Sequence, residues 1–387
     1  MRSCVLAVVL AFMVSACSGG VGTPWLEFEP GEATPTDAAG RGLHVVLVSG
    51  DEEYRSEEAL PQLAAILSER HGFRCTVLFS IDPETGTVDP DERKNIPGLA
   101  ALEDADCLVL FTRFRDLPDQ QMAFIDSYLR AGKPVLGIRT ATHAFNLSGE
   151  RSFARYTWNH DPGETEEQAW GGGFGRLVLG ETWIAHHGAH GRQSTRGEVA
   201  PDAADHPIAR GLGEPGTPVF GMEGVWGPTD VYRVRLPMAD GVQPIVLGRV
   251  LDGMDADSPG VGGELNDPLM PIVWAKRYRL PGGAAGESVT STIGASVDLV
   301  ASGTRRVLVN AVYWLCGLGD EIPEGGADAR IVGVFEPSPY GFGGARKGLL
   351  PASFSPFRGA KEPRQSPATL ELREGDRLVL IGNTFAE

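Results

Sequence analysis

Apolar residues follow two rhythms along this chain. Between residues 43 and 138 four short runs, "LHVVLV", "CTVLF", "CLVLF" and "VLGI", are almost continuously apolar. Runs of that length without polar alternation predict strands covered on both faces. Between them "SEEALPQLAAILSERHGF" places Leu60, Leu63, Ile66 and Leu67 at helical spacing and stops at Gly72. "PDQQMAFIDSYLRAGK" does the same and closes at Gly132. Strand and helix alternating at short intervals predict a parallel sheet with right-handed crossovers.

After residue 150 the periodicity weakens, and Gly, Trp and Pro become common. "TPVFGMEGVWGPTDVYRVRL", "QPIVLGRVL", "MPIVWAKRY" and "ESVTSTIGAS" read as further strands, several of them antiparallel, and "SGTRRVLVNAVYWLCGL" as a last helix. No internal repeat is visible. From about residue 352 the chain becomes a Pro- and charge-rich linker and then begins one more strand, "DRLVLIGNTFAE".

The first twenty residues bear on the compartment. Arg2, the apolar stretch Val5 to Val14 and the small residues before Cys17 have the order of an export signal, too short to span a bilayer of about 30 Å. "VSAC" resembles the lipobox of bacterial lipoproteins, which implies cleavage before Cys17 and lipid on its sulfur. The organisation expected is a signal peptide at 1–16, a flexible tether at 17–41, one large domain at 42–350, a linker at 351–370 and a partial segment at 371–387. Cys75, Cys107 and Cys316 sit in apolar runs and read as buried thiols. The net charge of −17 argues against nucleic acid and against anionic membrane surfaces, leaving the lipid anchor as the membrane contact.

Several stretches in order, "HVVLVSGDEEYRSEEALPQLAAIL", "LGETWIAHHG", "DHPIARGL", "VWGPTDVYRV", "LNDPLMPIVWAKRY", "RRVLVNAVYWLCGL" and "GVFEPSPYGFGG", together resemble the trehalose-utilisation (ThuA-like) family of the class I glutamine-amidotransferase-like superfamily. The resemblance spans roughly residues 42 to 350. It implies a flavodoxin-like three-layer α/β sandwich with a mostly parallel central sheet and added antiparallel strands. It also implies a small carbohydrate or oxidised sugar as ligand, and partner enzymes of sugar catabolism. Amidotransferases of this fold carry a nucleophilic Cys on a tight turn, where "GIRTAT" here has Arg139 and Thr140, and the later "TIGAS" has Ala295 where many members place a His. Without the thiolate, covalent glutamine hydrolysis is excluded. The tail "GDRLVLIGNTFAE" is similar to the opening block of SGNH-type hydrolase-like domains, but lacks its Ser.

Ligands of open parallel sheets bind beyond the carboxyl ends of the strands. That rule selects "SGDEEYRS" and "RTATHAFN". His143 and Asp51 from these loops are candidate acid/base partners, with Glu223 a second candidate carboxylate. Asp51 and Glu57 read equally well as groups that cap and charge a helix start. Arg139, Thr140, Trp183, His186, His187, Asn266 and Lys276 are candidate substrate contacts, because sugars are held by aromatic faces and polar side chains together. The stretch "ETWIAHHGAHGR" holds His186, His187 and His190, a candidate set for zinc or another divalent metal. On a strand His186 and His187 point to opposite faces, so at most one of them faces a cleft.

Three readings follow: a sugar-active protein using acid/base chemistry, a non-catalytic sugar-binding or scaffolding module, and a metal-dependent hydrolase built on the 186–190 histidines.

Overall fold

The computed structural model describes residues 23–149, 151–164 and 168–357. The expectations for the signal peptide, for Cys17 and for the 371–387 segment fall outside the described residues. Ten strands form one sheet: β1 (Trp25–Phe28), β2 (His44–Gly50), β3 (Arg74–Leu78), β4 (Cys107–Thr112), β5 (Val135–Ile138), β6 (Thr195–Val199), β7 (Trp226–Gly227), β8 (Val242–Val250), β9 (Met270–Arg279) and β10 (Ala285–Ser291). Three α-helices accompany them, α1 (Ser56–His71), α2 (Asp119–Arg130) and α3 (Ser302–Leu315). Spatial order across the sheet is β1-β3-β2-β4-β5-β10-β9-β8-β6-β7. Strands β3, β2, β4, β5 and β10 run parallel; β1 at one side and β9, β8, β6 and β7 at the other run antiparallel to their neighbours.

The apolar runs form central strands because both of their faces are covered. In β2, Val45 and Leu47 pack into one core with Leu60 and Leu63 of α1 and Val307 and Leu308 of α3. Val46 and Val48 point the other way, into a second core with Met122 and Ile125 of α2. The period of two along the strand thus feeds two separate cores. Cys75 and Cys107 are buried free thiols, and Cys316 is half-buried and free.

The structure departs from the sequence reading, or completes it, at several places. Residues 25–28, assigned to a flexible tether, form β1, which pairs antiparallel with β3 and covers its edge. "ESVTSTIGAS", read as a strand without an assigned direction, forms β10, which runs parallel to β5 and antiparallel to β9. Most of 217–236 is irregular, with the two-residue β7 and a single bridge from Tyr232 to His186, since its Gly and Pro residues interrupt any ladder. The start of the expected linker is also ordered: Phe354 is buried and its ring lies 5.8 Å from that of Phe79. Among the described residues no helix is long and apolar enough to cross a membrane.

Candidate functional site

From β2 the chain moves to β3 on one side and later to β4 on the other, so the order of parallel strands reverses between β2 and β4. A crevice for a ligand belongs beyond the carboxyl ends of the strands at such a reversal. Three non-glycine residues among those described adopt a left-handed backbone: Arg55 (φ 61°), Phe114 (φ 49°) and Arg139 (φ 47°). Each lies in a connection that leaves β2, β4 or β5. Such residues cost roughly 1–3 kcal/mol each and persist only where their surroundings hold them. Phe114 lines one pocket; Arg55 follows its wall residue Tyr54, and Arg139 packs against Tyr54 and Tyr232 of the same wall.

The pocket has an empty volume of about 230 Å³. Its wall takes Glu53 and Tyr54 from the loop after β2, Arg113 and Phe114 from the loop after β4, and His143 from the turn after β5. Trp183, His186 and Tyr232 complete it. The loops after β2 and β5, the two that the strand-end rule selects from the sequence, therefore open onto one cavity.

His143 is buried among rings: Phe114 at 4.8 Å, Trp183 at 5.4 Å and Tyr232 at 6.3 Å between centroids. Burial, with the nearby Arg113 and Arg139 charges, holds its pKa well below the ordinary histidine value, so it is neutral near pH 7. Thr142 Oγ1 donates to the Arg139 carbonyl (3.4 Å) and accepts from His143 Nδ1 (3.2 Å). This arrangement leaves Nε2 with its lone pair and with no hydrogen-bond partner among the described residues.

The histidines at 186 and 190 converge on Asp230, a residue the sequence reading passed over. His186 Nδ1 donates to Asp230 Oδ2 at 2.7 Å and His190 Nδ1 to Oδ1 at 2.9 Å. The carboxylate is held far below its ordinary pKa, against the cost of burial, by the Arg139 charge and by the two imidazoles. His187 goes elsewhere: its Nε2 donates to the Leu265 carbonyl at 2.8 Å, on the far side of the segment. The expected 186–187–190 triple is thus corrected to His186, His190 and Asp230, because consecutive side chains in an extended segment diverge.

Other candidates turn out to be structural. Asp51 is fully buried; Oδ1 accepts from the backbone of Glu53 and Tyr54, and Oδ2 accepts from Thr140 Oγ1 at 2.5 Å. Burial foremost, and the neighbouring Glu52 charge, push its pKa up to about 6. Thr140 is spent on that bond. Arg139 is fully buried and donates to the Asp230 and Thr292 carbonyls, both at 2.7 Å, while its guanidinium lies between the rings of Tyr54 and Tyr232. Lys276 Nζ donates to the carbonyls of Arg176 and Leu177, and burial lowers its pKa to about 8. Glu223 is exposed on a short turn ahead of β7 and is not part of the pocket wall.

Asn266 clamps the β8 end: Oδ1 accepts from Val250 N (2.7 Å), and Nδ2 donates to the Val250 and Val261 carbonyls (2.9 and 2.7 Å). Asn266→Ala is expected to lower stability by about 1–3 kcal/mol in a urea titration while leaving ligand binding in the pocket unchanged. A change in ligand affinity without a change in stability would contradict this assignment.

Arg113, Phe114, Asp230 and Tyr232 were missed. The strand-end rule that selected the loops after β2 and β5 applies equally to "LVLFTRF", and it would have found Arg113 and Phe114. Tyr340 stacks on Tyr54 at 5.6 Å and meets His190 edge-on at 5.3 Å. No local signal marks it.

Fold and site together define a mixed α/β protein with a small polar and aromatic pocket at the carboxyl edge of its parallel strands. No protein-family model and no curated protein matches the chain. It is similar to a solved thua-like protein of Bacteroides uniformis ATCC 8492, at 13% identity and a TM-score of 0.41, covering 72% of this chain and 93% of that one. A second solved thua-like protein, of Parabacteroides merdae ATCC 43184, is 14% identical with a TM-score of 0.43, covering 74% and 97%. Neither likeness bears on the role of any residue.

Proposed function

We propose that this chain is a ThuA-like protein with a flavodoxin-like core that binds a small carbohydrate or oxidised sugar and moves a proton on it through His143. Counted along the chain, the five parallel strands lie in the order 2-1-3-4-5, which is the flavodoxin-like arrangement. The observation that carries the chemical reading is His143 itself: a neutral imidazole in the pocket wall, its Nδ1 occupied by Thr142 and its Nε2 unpartnered. A neutral imidazole in an apolar surround accepts a proton from a hydroxyl or an acidic C–H, and in its conjugate role returns one. Trp183 offers a flat face for a ring, and Glu53 and Arg113 offer polar contacts for hydroxyl or keto oxygens. The pocket is small beside the roughly 300–1,000 Å³ of pockets that enclose drug-sized ligands, so a sugar presents one edge to it and lies otherwise in solvent. Glutamine amidotransfer is not part of the proposal, since Arg139 stands at the left-handed turn where a nucleophilic thiol is needed. Attachment to a cell envelope through lipid on Cys17, next to enzymes of sugar catabolism, is proposed on the "VSAC" segment alone.

A binding module without turnover is the second reading. It is favoured by Asp51 and Arg139, whose polar groups are spent on structure. A panel of disaccharides and their keto derivatives separates the two. The expected result is product formation by the wild type and a loss of about 10²–10⁴ in kcat for His143→Gln, with binding affinity retained. Saturable binding without product favours the module, and neither binding nor product ends the sugar reading.

A further inference from the structure

We propose that His186, His190 and Asp230 hold one divalent transition-metal ion at the mouth of the pocket. One ligand atom from each residue lies within 4.8 Å of the others. The cluster is built rather than incidental. The backbone amides of His187 and Gly188 both donate to the Val231 carbonyl (2.8 and 3.2 Å), and Arg233 N donates to the Ala185 carbonyl (2.9 Å). These bonds zip the histidine segment onto the strip that carries Asp230. His190 is set by a closed turn in which Gln193 N donates to the Ala189 carbonyl (2.9 Å) and Ala189 N donates to Gln193 Oε1 (2.7 Å). The carboxylate is fixed from behind, because Arg139 Nη2 donates to Oδ1 at 3.1 Å and Nη1 donates to the Asp230 carbonyl at 2.7 Å.

Position and charge suit a cation. The Asp230 side chain is fully buried, whereas about a third of each imidazole is exposed (35% and 36%). The donors therefore close the inner side and leave the outer side open, the plan of metal sites that keep coordination positions for water or a ligand. Two imidazoles and one carboxylate are a donor set that suits zinc, iron(II) or manganese. Each imidazole donates through Nδ1 to its own Asp230 oxygen, so a cation bound there takes the place of those protons, and the remaining nitrogen of His190 faces Glu53 Oε1 at 3.6 Å, too far for a hydrogen bond. A cation in the cluster satisfies these groups together. Arg139 opposes it, but engages Oδ1; Oδ2, which accepts from His186 Nδ1, becomes the carboxylate donor when the cation replaces that proton. Arg113, the other cation facing the pocket, is paired with Glu52 and Glu53. His187 takes no part, since its Nε2 is committed to Leu265.

This inference does not rest on the sugar reading, and its test contains no sugar. Full-chain, tag-free protein is stripped with a chelator, then titrated with zinc by calorimetry and with cobalt(II) by visible absorption. The expected result is one site per chain, with ligand-field bands on cobalt addition. Affinity should fall at least about tenfold in His186→Ala and in His190→Ala, and stay unchanged in His187→Ala. Both substituted side chains are partly exposed, and circular dichroism verifies that the variants fold; the wild-type cobalt spectrum gives a readout that needs no variant. Absence of saturable binding by the wild type, or binding that survives in the double variant His186→Ala/His190→Ala, overturns the site.

Discussion

Arg139→Met is expected to lower the free energy of unfolding by roughly 3–5 kcal/mol, the usual cost of removing one partner from a buried ion pair. Both side chains of the Arg139–Asp230 pair are fully buried. The guanidinium also reaches two carbonyls and two tyrosine rings, so Met fills the volume but leaves the Asp230 carboxylate without its cation, held only by His186 and His190, and removes the donor to those carbonyls. Relief of the left-handed backbone does not offset this, because Met is no better suited than Arg to φ 47°. The midpoint of urea unfolding measures the loss, and a change below 1 kcal/mol would show that Asp230 finds its support elsewhere. Metal binding should fall as well, since Arg139 positions the carboxylate that His186 and His190 share.

Glu57→Gln is expected to stabilise the protein, and only at the higher end of the pH range. Glu57 is fully buried in the first turn of α1, and neither carboxylate oxygen has a hydrogen-bond partner among the described residues. Burial pushes its pKa from the ordinary 4.5 to about 8. Because the folded value lies above the unfolded one, the folded state binds the proton more tightly, and stability is lost as pH rises from 4.5 to 8. Spread over that interval of about 3.5 pH units at about 1.36 kcal/mol each, the loss amounts to roughly 4–5 kcal/mol. Gln carries no such proton. The variant should match the wild type within about 1 kcal/mol at pH 5 and exceed it by several kcal/mol at pH 8.5. Asp51, raised to about 6, adds a loss of the same sign in both proteins and cancels from the comparison. Thermal melts at the two pH values check this; equal gains at both would mean that the carboxyl is already ionised inside the fold.

Much of the fold was legible because the same physics writes it into short windows. Continuous apolar runs mark strands with two covered faces, and β2, β4 and β5 are buried throughout. The spacing of Leu60, Leu63 and Ile66 marks the buried side of α1. What local pattern does not carry is partnership. "SVTS" reads as a strand, but its parallel pairing with β5 depends on a crossover of some 150 residues. The site divides the same way. His143, Trp183, His186 and His190 stood out as chemistry-bearing types, and the structure brings them together. Asp51, Arg139, Asn266 and Lys276 stood out equally, yet their polar atoms are consumed by structural bonds: Asp51 by amides of its own loop and by Thr140, the others mainly by backbone groups of other segments, as the 2.7 Å bond from Arg139 to the Thr292 carbonyl illustrates. Asp230 looked ordinary, because its importance comes from the histidines 40 and 44 positions away.

The sheet ends on its two shortest margins. A row of ten strands has two borders, where unpaired amides and carbonyls invite another chain to add itself. Here one border is β1, of four residues, and the other is β7, of two. Beside β7, Gly197 N donates to the Val225 carbonyl at 2.7 Å, which covers the next stretch of β6. Little hydrogen-bonding template remains at either end, and a molecule with this much strand content is thereby guarded against stacking edge to edge into fibres.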